Sequence, residues 1–399
     1  MEKKNGNKSL ITGCVAVAHA IRLADVDVIA AYPIRPYTGV MNAVAEMLGA
    51  GEFDAEYIVA ESEHGQFEIG KHASMVGARA FVGSSGVGWA YAAEPIIITA
   101  TNRAPLVALV GNRALDDPGA FGTEHNETLM TRDVGWMLSW ASNAQEAMDL
   151  TLLSYRISED HKIMLPSAVC VDGSFTTHIK YPVEIPSKEK VDEFLPPYKL
   201  PHALHPDDPR TIAPQCNDEY VFETRKQIDE AVRREPEVIR KAHEDFSRIF
   251  GRQHEPFIER YLTEDADTLI IGIGSLALSA RASVREYRRR GKKVGFIQVK
   301  RYRPFPADEL RELLVGKKVV GVLDVDFSFG SPNYGGVLYQ DIRSTLYDER
   351  EKPPIVNYIA GLGGRPITQG TFRTVMDGLS KTAERGRPDK DVYWVDVRS

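Results

Sequence analysis

Five short runs, VDVIAAYP, YIVAES, ARAFVGSS, APLVALVGN and HKIMLPSAVCVDG, are apolar almost throughout and alternate with helix-like stretches between about residues 10 and 180. Strands without polar alternation are buried on both faces, and intervening segments long enough for helices supply the crossovers that parallel pairing requires. The pattern predicts an α/β unit whose parallel sheet is covered on both sides, with ligand-binding loops at the carboxyl ends of the strands. From about residue 181 the texture changes. The stretch YPVEIPSKEKVDEFLPPYKLPHALHPDDPRTIAPQCNDEY has a proline every few residues and reads as an extended surface crossing, and the charged, helically spaced stretch from Glu223 to about Tyr261 reads as a helical connector. The remainder restarts as strand, glycine turn, helix and strand in DTLIIGIGSLALSARASVREYRRRGKKVGFIQVKRYRPFP, and KKVVGVLDVD, IVNYIAGLGG and VYWVDV add strands. A chain of 399 residues holds two cores of this kind, expected at 1–261 and 262–399, the second being the smaller α/β domain.

Several function classes are disfavoured. No run reaches ~18 uninterrupted apolar residues and MEKKNGNKSLITG lacks a signal-peptide core, so a cytoplasmic protein without membrane contact is expected. The three cysteines, Cys14, Cys170 and Cys216, are far apart, which gives neither a disulfide framework nor a readable zinc or iron-sulfur site. Any clusters would belong to another chain. A net charge of −7 and the lack of a basic stripe interleaved with aromatics argue against nucleic acid. REYRRRGKK reads as the cationic last turn of a helix closed by Gly291.

Four motifs carry chemistry. In AYPIRPYTG, Arg35 follows an apolar run at a bend whose prolines exclude a helix. In ESEHGQFEIGKHASMVGARA, Glu61, His64, Glu68 and His72 fall near i, i+3 or i+4 spacing. Such a face can bind a metal, but H-E-x-x-H is absent; the alternative is one carboxylate doing acid/base work at a helix N-terminus. In VGNRALDDPGAFGTEHNET, Arg113 stands at the carboxyl end of a strand, and two arginines at two strand ends favour a ligand clamp over an interface ion pair. GIGSLA, Gly272 to Ala277, fits a dinucleotide turn, yet the following strand ends in basic residues where an acidic one is wanted, so a plain strand-to-helix turn is expected.

These motifs also carry a resemblance. AYPIRPYT is similar to the Tyr-Pro-Ile-Thr-Pro signature of 2-oxoacid:ferredoxin oxidoreductase alpha chains, ESEHG to their Ser-Glu-Ala-Gly segment, VGNRAL with FGTEHNE to their arginine-bearing strand end and Phe-Gly-Asp-His loop, and GLGGRPIT to their Gly-Leu-Gly-Gly-Arg signature. The matches run in order along nearly the whole chain. The resemblance implies a pyrimidine-binding thiamine diphosphate domain followed by a transketolase C-terminal-like domain expected to serve packing between subunits. It assigns Glu63, with Glu61 in reserve, to the aminopyrimidine N1′, and Pro33 and Ile34 to the cofactor. It implies no metal on this chain. A beta subunit would supply the diphosphate and Mg²⁺ site and a cluster, a ferredoxin-like gamma subunit would carry further [4Fe-4S] clusters, an external ferredoxin would accept electrons, and the assembly would be a dimer of heterotrimers.

The chain departs from the family pattern where pyruvate-acting members have a small threonine, because it has Arg35, and where they tend to have alanine, because it has Asp116 and Asp117. That combination resembles family members acting on oxalate. The expectation is oxidation of oxalate to two CO2 without coenzyme A, with Arg35 turned inward beside Arg113 to bind the substrate and Asp116 moving a carboxylate in or out of the cationic site. The alternatives are pyruvate or another 2-oxoacid and, distantly, an NAD-dependent dehydrogenase built on GIGSLA.

Overall fold

The computed structural model describes residues 7–116 and 118–398. The chain begins with β1 (Asn7–Thr12) and α1 (Gly13–Leu23), followed by β2 (Val28–Ala31), α2 (Thr38–Gly49), β3 (Glu56–Val59), α3 (Glu63–Met75), β4 (Ala80–Ser84), α4 (Val87–Tyr91), α5 (Ala93–Thr101) and β5 (Val107–Asn112). It continues through α6 (Asn126–Leu129), β6 (Met137–Ala141), α7 (Ala144–Ser158), β7 (Ser167–Asp172), β8 (Lys180–Ile185), α8 (Lys188–Phe194) and the long α9 (Asn217–Phe250). Strands β6, β7, β5, β4, β2 and β3 lie side by side in that order, all parallel. The wholly buried β4, β5, β6 and β7 explain their lack of polar alternation. β6, WMLSWAS in the sequence, is a strand that the apolar-run pattern passes over, since serine and two tryptophans interrupt its aliphatic character.

The second half comprises β9 (Ile258–Tyr261), β10 (Thr268–Ile273), α10 (Leu276–Arg289), β11 (Val294–Val299), β12 (Arg301–Arg303), α11 (Ala307–Leu314), β13 (Val319–Asp324), α12 (Val337–Thr345), β14 (Ile355–Ile359), α13 (Gln369–Arg385) and β15 (Val392–Trp394). Its sheet runs β15-β14-β13-β10-β11-β9, parallel except for β9. Parallel sheets with helical crossovers in both halves make the architecture α/β throughout. The two halves are sewn together: β12 leaves the second sheet and pairs antiparallel with β6 as the seventh strand of the first.

The connector differs from expectation at its end. α9 stops at Phe250, where Gly251 takes a left-handed φ of 70° as the cap, and residues 258–261 form the antiparallel edge strand β9 instead of continuing the helix. The proline-rich crossing contributes β8, paired with β1, before it becomes irregular. Gly291 does close the basic turn after α10, with φ 76° and its N–H donated to the Arg288 carbonyl at 2.9 Å. No helix among the described residues is long and apolar enough to cross a membrane.

Candidate active site

Three strand ends of the first sheet converge on the turn Ser84-Ser85-Gly86-Val87-Gly88, which leads from β4 into α4. A Cβ placed on Gly88 would lie 2.4 Å from Glu63 Oε1, 2.6 Å from Ser84 Oγ and 2.8 Å from Ile34 Cδ1, so only a residue without a side chain lets these groups meet. Glu63 arrives there because Ser62 caps α3, its hydroxyl accepting the Gly65 N–H at 3.1 Å. The carboxylate is thereby buried in the first helical turn, where the helix dipole favours negative charge. Ile34, half-buried, comes from the bend after β2; Pro33 is exposed at its start. Glu61 is exposed and outside the cradle.

Arg113 leaves the end of β5 and lies across Gly86, whose φ of 53° and missing Cβ make room for its Nε. Its guanidinium is nearly buried, donating from Nη1 to the Arg35 carbonyl at 3.1 Å and from Nη2 to Asp116 at 2.5 Å. It sits 5.4 Å from the Phe121 ring centroid, and the Arg35 guanidinium sits 5.9 Å from the same centroid. Both arginines thus gather at one aromatic ring beside the Glu63 cradle. Arg35 is exposed at the rim of this chain rather than turned inward, because Pro36, not the arginine, fills the interior position: a Cβ on Gly111 would meet Pro36 Cγ at 2.7 Å. Asp117 lies outside the described residues.

Sequence reasoning missed Phe121, Ser84, Ser85 and the two glycines of the turn. The available signal was S-S-G-V-G directly after a buried strand, a stretch with little side chain on one face of a sheet end.

Two alternatives fall away on geometry. The GIGSLA turn caps α10, but its ligand is internal: Asp172 Oδ2 accepts the Ser275 N–H at 2.7 Å and hydroxyl at 2.6 Å, and a Cβ on Gly274 would lie 2.6 Å from the same oxygen. A protein carboxylate fills the place where a dinucleotide pyrophosphate would bind, which removes the basis for the NAD-dependent reading. The acidic and histidine residues of α3 are dispersed: Glu68 pairs with Lys71 at 2.8 Å, His64 with Glu94 at 3.2 Å, and His72 is largely exposed. Among the described residues no three His, Cys, Asp or Glu side chains gather as a metal centre does.

The cradle fits the aminopyrimidine that the resemblance implies. It combines a buried carboxylate, an apolar wall at Ile34, and the hydroxyl of Ser84, buried without a hydrogen-bond partner among the described residues; the Ser85 hydroxyl, also unpartnered there, lies by Gly111 and Pro36 instead. A flat ring bearing nitrogens and an amino group satisfies such a donor and acceptor set.

Residues 19–244 match the pyruvate flavodoxin/ferredoxin oxidoreductase, thiamine diphosphate-binding, family. Residues 266–372 match pyruvate:ferredoxin oxidoreductase core domain II. The chain is 37% identical over 391 residues to the pyruvate synthase subunit PorA of Methanocaldococcus jannaschii, covering 98% of each. It is 34% identical over 392 residues to the ketoisovalerate oxidoreductase subunit VorA of Pyrococcus abyssi, again covering 98% of each. Among solved structures it shares its fold with a 2-oxoglutarate:ferredoxin oxidoreductase from Magnetococcus marinus, at a TM-score of 0.68 and 18% identity, with 94% of this chain spanning 66% of that one. Two matched domains and relatives aligned over almost their whole length make this chain a member of the pyruvate flavodoxin/ferredoxin oxidoreductase family.

Proposed function

We propose that the chain is the alpha subunit of a thiamine diphosphate-dependent 2-oxoacid:ferredoxin oxidoreductase complex, and that within this class its substrate is oxalate, oxidised to two CO2 with two electrons passed on to ferredoxin. The observation that carries the substrate reading is the pair of guanidiniums, Arg35 and Arg113, at 5.9 and 5.4 Å from one phenyl ring beside the Glu63 cradle. A substrate with one carboxylate needs one such partner. Oxalate brings two, and one charge pair at ~4 Å is worth about 4 kcal/mol at an effective dielectric of ~20. Planar guanidiniums hold carboxylates through paired hydrogen bonds, which also orients the carbon under attack.

When bound, thiamine diphosphate would supply the nucleophilic carbon and the electron sink for decarboxylation. Glu63 hydrogen-bonds the aminopyrimidine and holds or returns a proton at its ring nitrogen, while Ile34 keeps water from that face. Arg113 and Arg35 neutralise the carboxylates and the negative charge that develops on oxygen, a type of stabilisation whose loss typically costs ~10²–10³ in rate. Asp116, now paired with Arg113, competes with a substrate carboxylate for that guanidinium and therefore favours its departure as CO2. Val59, Val87, Tyr91 and Phe121 expose apolar surface on strand-end segments of this side of the sheet, in keeping with a beta subunit that closes the cofactor site and brings the diphosphate, Mg²⁺ and a cluster. A ferredoxin-like gamma subunit and a dimer of heterotrimers complete the proposed complex.

A second reading has its own support. The relatives are named for pyruvate and ketoisovalerate, not oxalate, so the comparisons favour a 2-oxoacid substrate. In that case Arg35 binds a distal carboxylate or a partner subunit. Assay of the co-purified complex with a viologen acceptor on oxalate, glyoxylate, pyruvate and 2-oxoglutarate, with and without coenzyme A, separates the two. Oxalate turnover without coenzyme A is expected. Coenzyme A-dependent turnover of pyruvate with none of oxalate overturns the substrate, and activity on none of them overturns the class. E63Q is expected to lower kcat by ~10²-fold or more.

A further inference from the structure

We infer that Glu127 is a positioning residue that fixes Arg113 from beneath; this rests on reading Arg113 as a carboxylate ligand. Glu127 is the second residue of the short helix α6 and is fully buried. Its Oε1 accepts the backbone N–H of Arg113 at 2.8 Å and the side-chain amide of Asn112 at 3.1 Å, while the same amide donates to Thr128 Oγ1 at 2.8 Å. One carboxyl group therefore closes the end of β5 onto α6, at the residue whose side chain crosses Gly86 into the site. The segment is tied on two further sides. Trp89, one residue beyond Gly88, donates its indole N–H to Thr131 at 2.9 Å, and Asn126 donates to the Phe327 carbonyl of the second half at 2.7 Å.

Glu127 makes no ion pair among the described residues: the Arg113 guanidinium turns to Asp116 and the Arg35 carbonyl, and His125 pairs with Asp172. Its Oε2, like Oδ1 of Asn112, has no hydrogen-bond partner among the described residues. A buried carboxyl that makes no ion pair and holds one backbone donor acts chiefly through geometry. Removing it leaves the buried Arg113 N–H unpaired and frees the strand end that aims the guanidinium, and small displacements in such sites cost large factors in rate or affinity.

The test uses E127Q, E127D and E127A in the assembled complex, with KM and kcat for its acid substrate and amide exchange across residues 112–116 followed by mass spectrometry. E127Q keeps an acceptor oxygen at the Arg113 N–H, so near-native KM and exchange are expected. E127D and E127A withdraw it; a rise in KM of about tenfold or more, a smaller change in kcat and faster exchange are expected. If E127A fails to assemble, the contrast between E127D and E127Q decides. Equal KM and equal exchange for those two overturns the inference. A wild-type complex inactive on every acid tested overturns the proposed function instead, while the exchange contrast still decides the role of Glu127.

Discussion

Arg113 donates to Asp116, an acceptor it can exchange for a substrate oxygen, and this sets the clearest expectation at a single residue. If Asp116 acts by displacing a carboxylate from Arg113, D116A should lower kcat by about tenfold or more with KM nearly unchanged. If it only caps a turn, D116A should shift the melting temperature and leave both constants alone. Glu127 yields a second expectation, in pH. Burial pushes its carboxyl up to about 8, only partly opposed by the Arg113 N–H, Asn112 and His125. The unfolded chain loses that proton near the ordinary carboxylate value, so between roughly pH 4.5 and 8 the native state binds the extra proton and stability falls as pH rises, by about 1.4 kcal/mol per unit at full effect. E127Q should flatten this slope in pH-dependent denaturation; an unchanged slope would show that Glu127 is ionised in the native state. Arg35 and Arg113 were singled out as candidates from a proline bend and a strand end, whereas Glu63 came only through the family resemblance. Phe121, Ser84 and Glu127 were not legible, because their roles depend on how the 113–126 loop folds back, which no local period records.

At the level of elements, α9 and β12 make the least ordinary contact. Ala231, Glu235, Val238, Ile239, Ala242, His243 and Phe246 are buried at helical spacing, so the face of α9 that carries the apolar residues also takes Glu235 and His243 inside. Arg301 of β12 is fully buried, and none of its guanidinium nitrogens has a hydrogen-bond partner among the described residues. Burial lowers Arg301 to about 10 and raises Glu235 to about 8, each partly offset by the other without a direct ion pair. Above about pH 8, where Glu235 is ionised, E235L should leave the buried Arg301 charge without that offset and destabilise the fold relative to wild type, whereas R301M/E235L together should recover or exceed wild-type stability. Denaturation curves for the two single variants and the double variant test this, and additive losses would refute it. Nothing in the sequence marks β12 as a strand of the first sheet, since RYRPFP reads equally well as the tail of β11. Most of the parallel strands were readable as apolar runs, though not β6, and the long connector helix was readable except for its end; the swap of one strand between sheets arises only from tertiary packing.

At the scale of the molecule, the second half, expected from the sequence to serve packing between subunits, is itself joined closely to the first. Its GLGG turn packs on the loop that carries Phe121 so closely that a Cβ on Gly122 would lie 2.2 Å from the Gly363 carbonyl, and the Gly364 N–H reaches the Thr123 carbonyl at 3.2 Å. Below that contact, His125 and Asp172 stand 2.8 Å apart, fully buried, and Asp172 also receives both donors of Ser275 from the start of α10. Burial opposes both charges, but the pair outweighs it: His125 is held above its ordinary value, and Asp172, helped by Ser275, below its own. The histidine part of this stability is complete below ~6.5 and is lost as pH rises through its raised value; the aspartate part is present above ~3.9 and is lost as pH falls through its lowered value. The His125–Asp172 pair lies within the first half and supports the latch that crosses to the second, Asp172 to Ser275, which is thus strongest between those limits. D172N removes the charge that sustains both limbs, so it should cost about 3–5 kcal/mol near neutral pH and give a melting profile flatter towards both acid and base. Because the latch adjoins the loop that carries Arg113 and Phe121, the same variant should raise KM more than it lowers kcat. Identical pH slopes in D172N and wild type would mean that this pair sets no part of the pH dependence and that the halves are held by links such as the β12–β6 pairing and the Asn126–Phe327 bond, and the placement of the 118–123 segment would then have to be sought in Gly122 and Gly363.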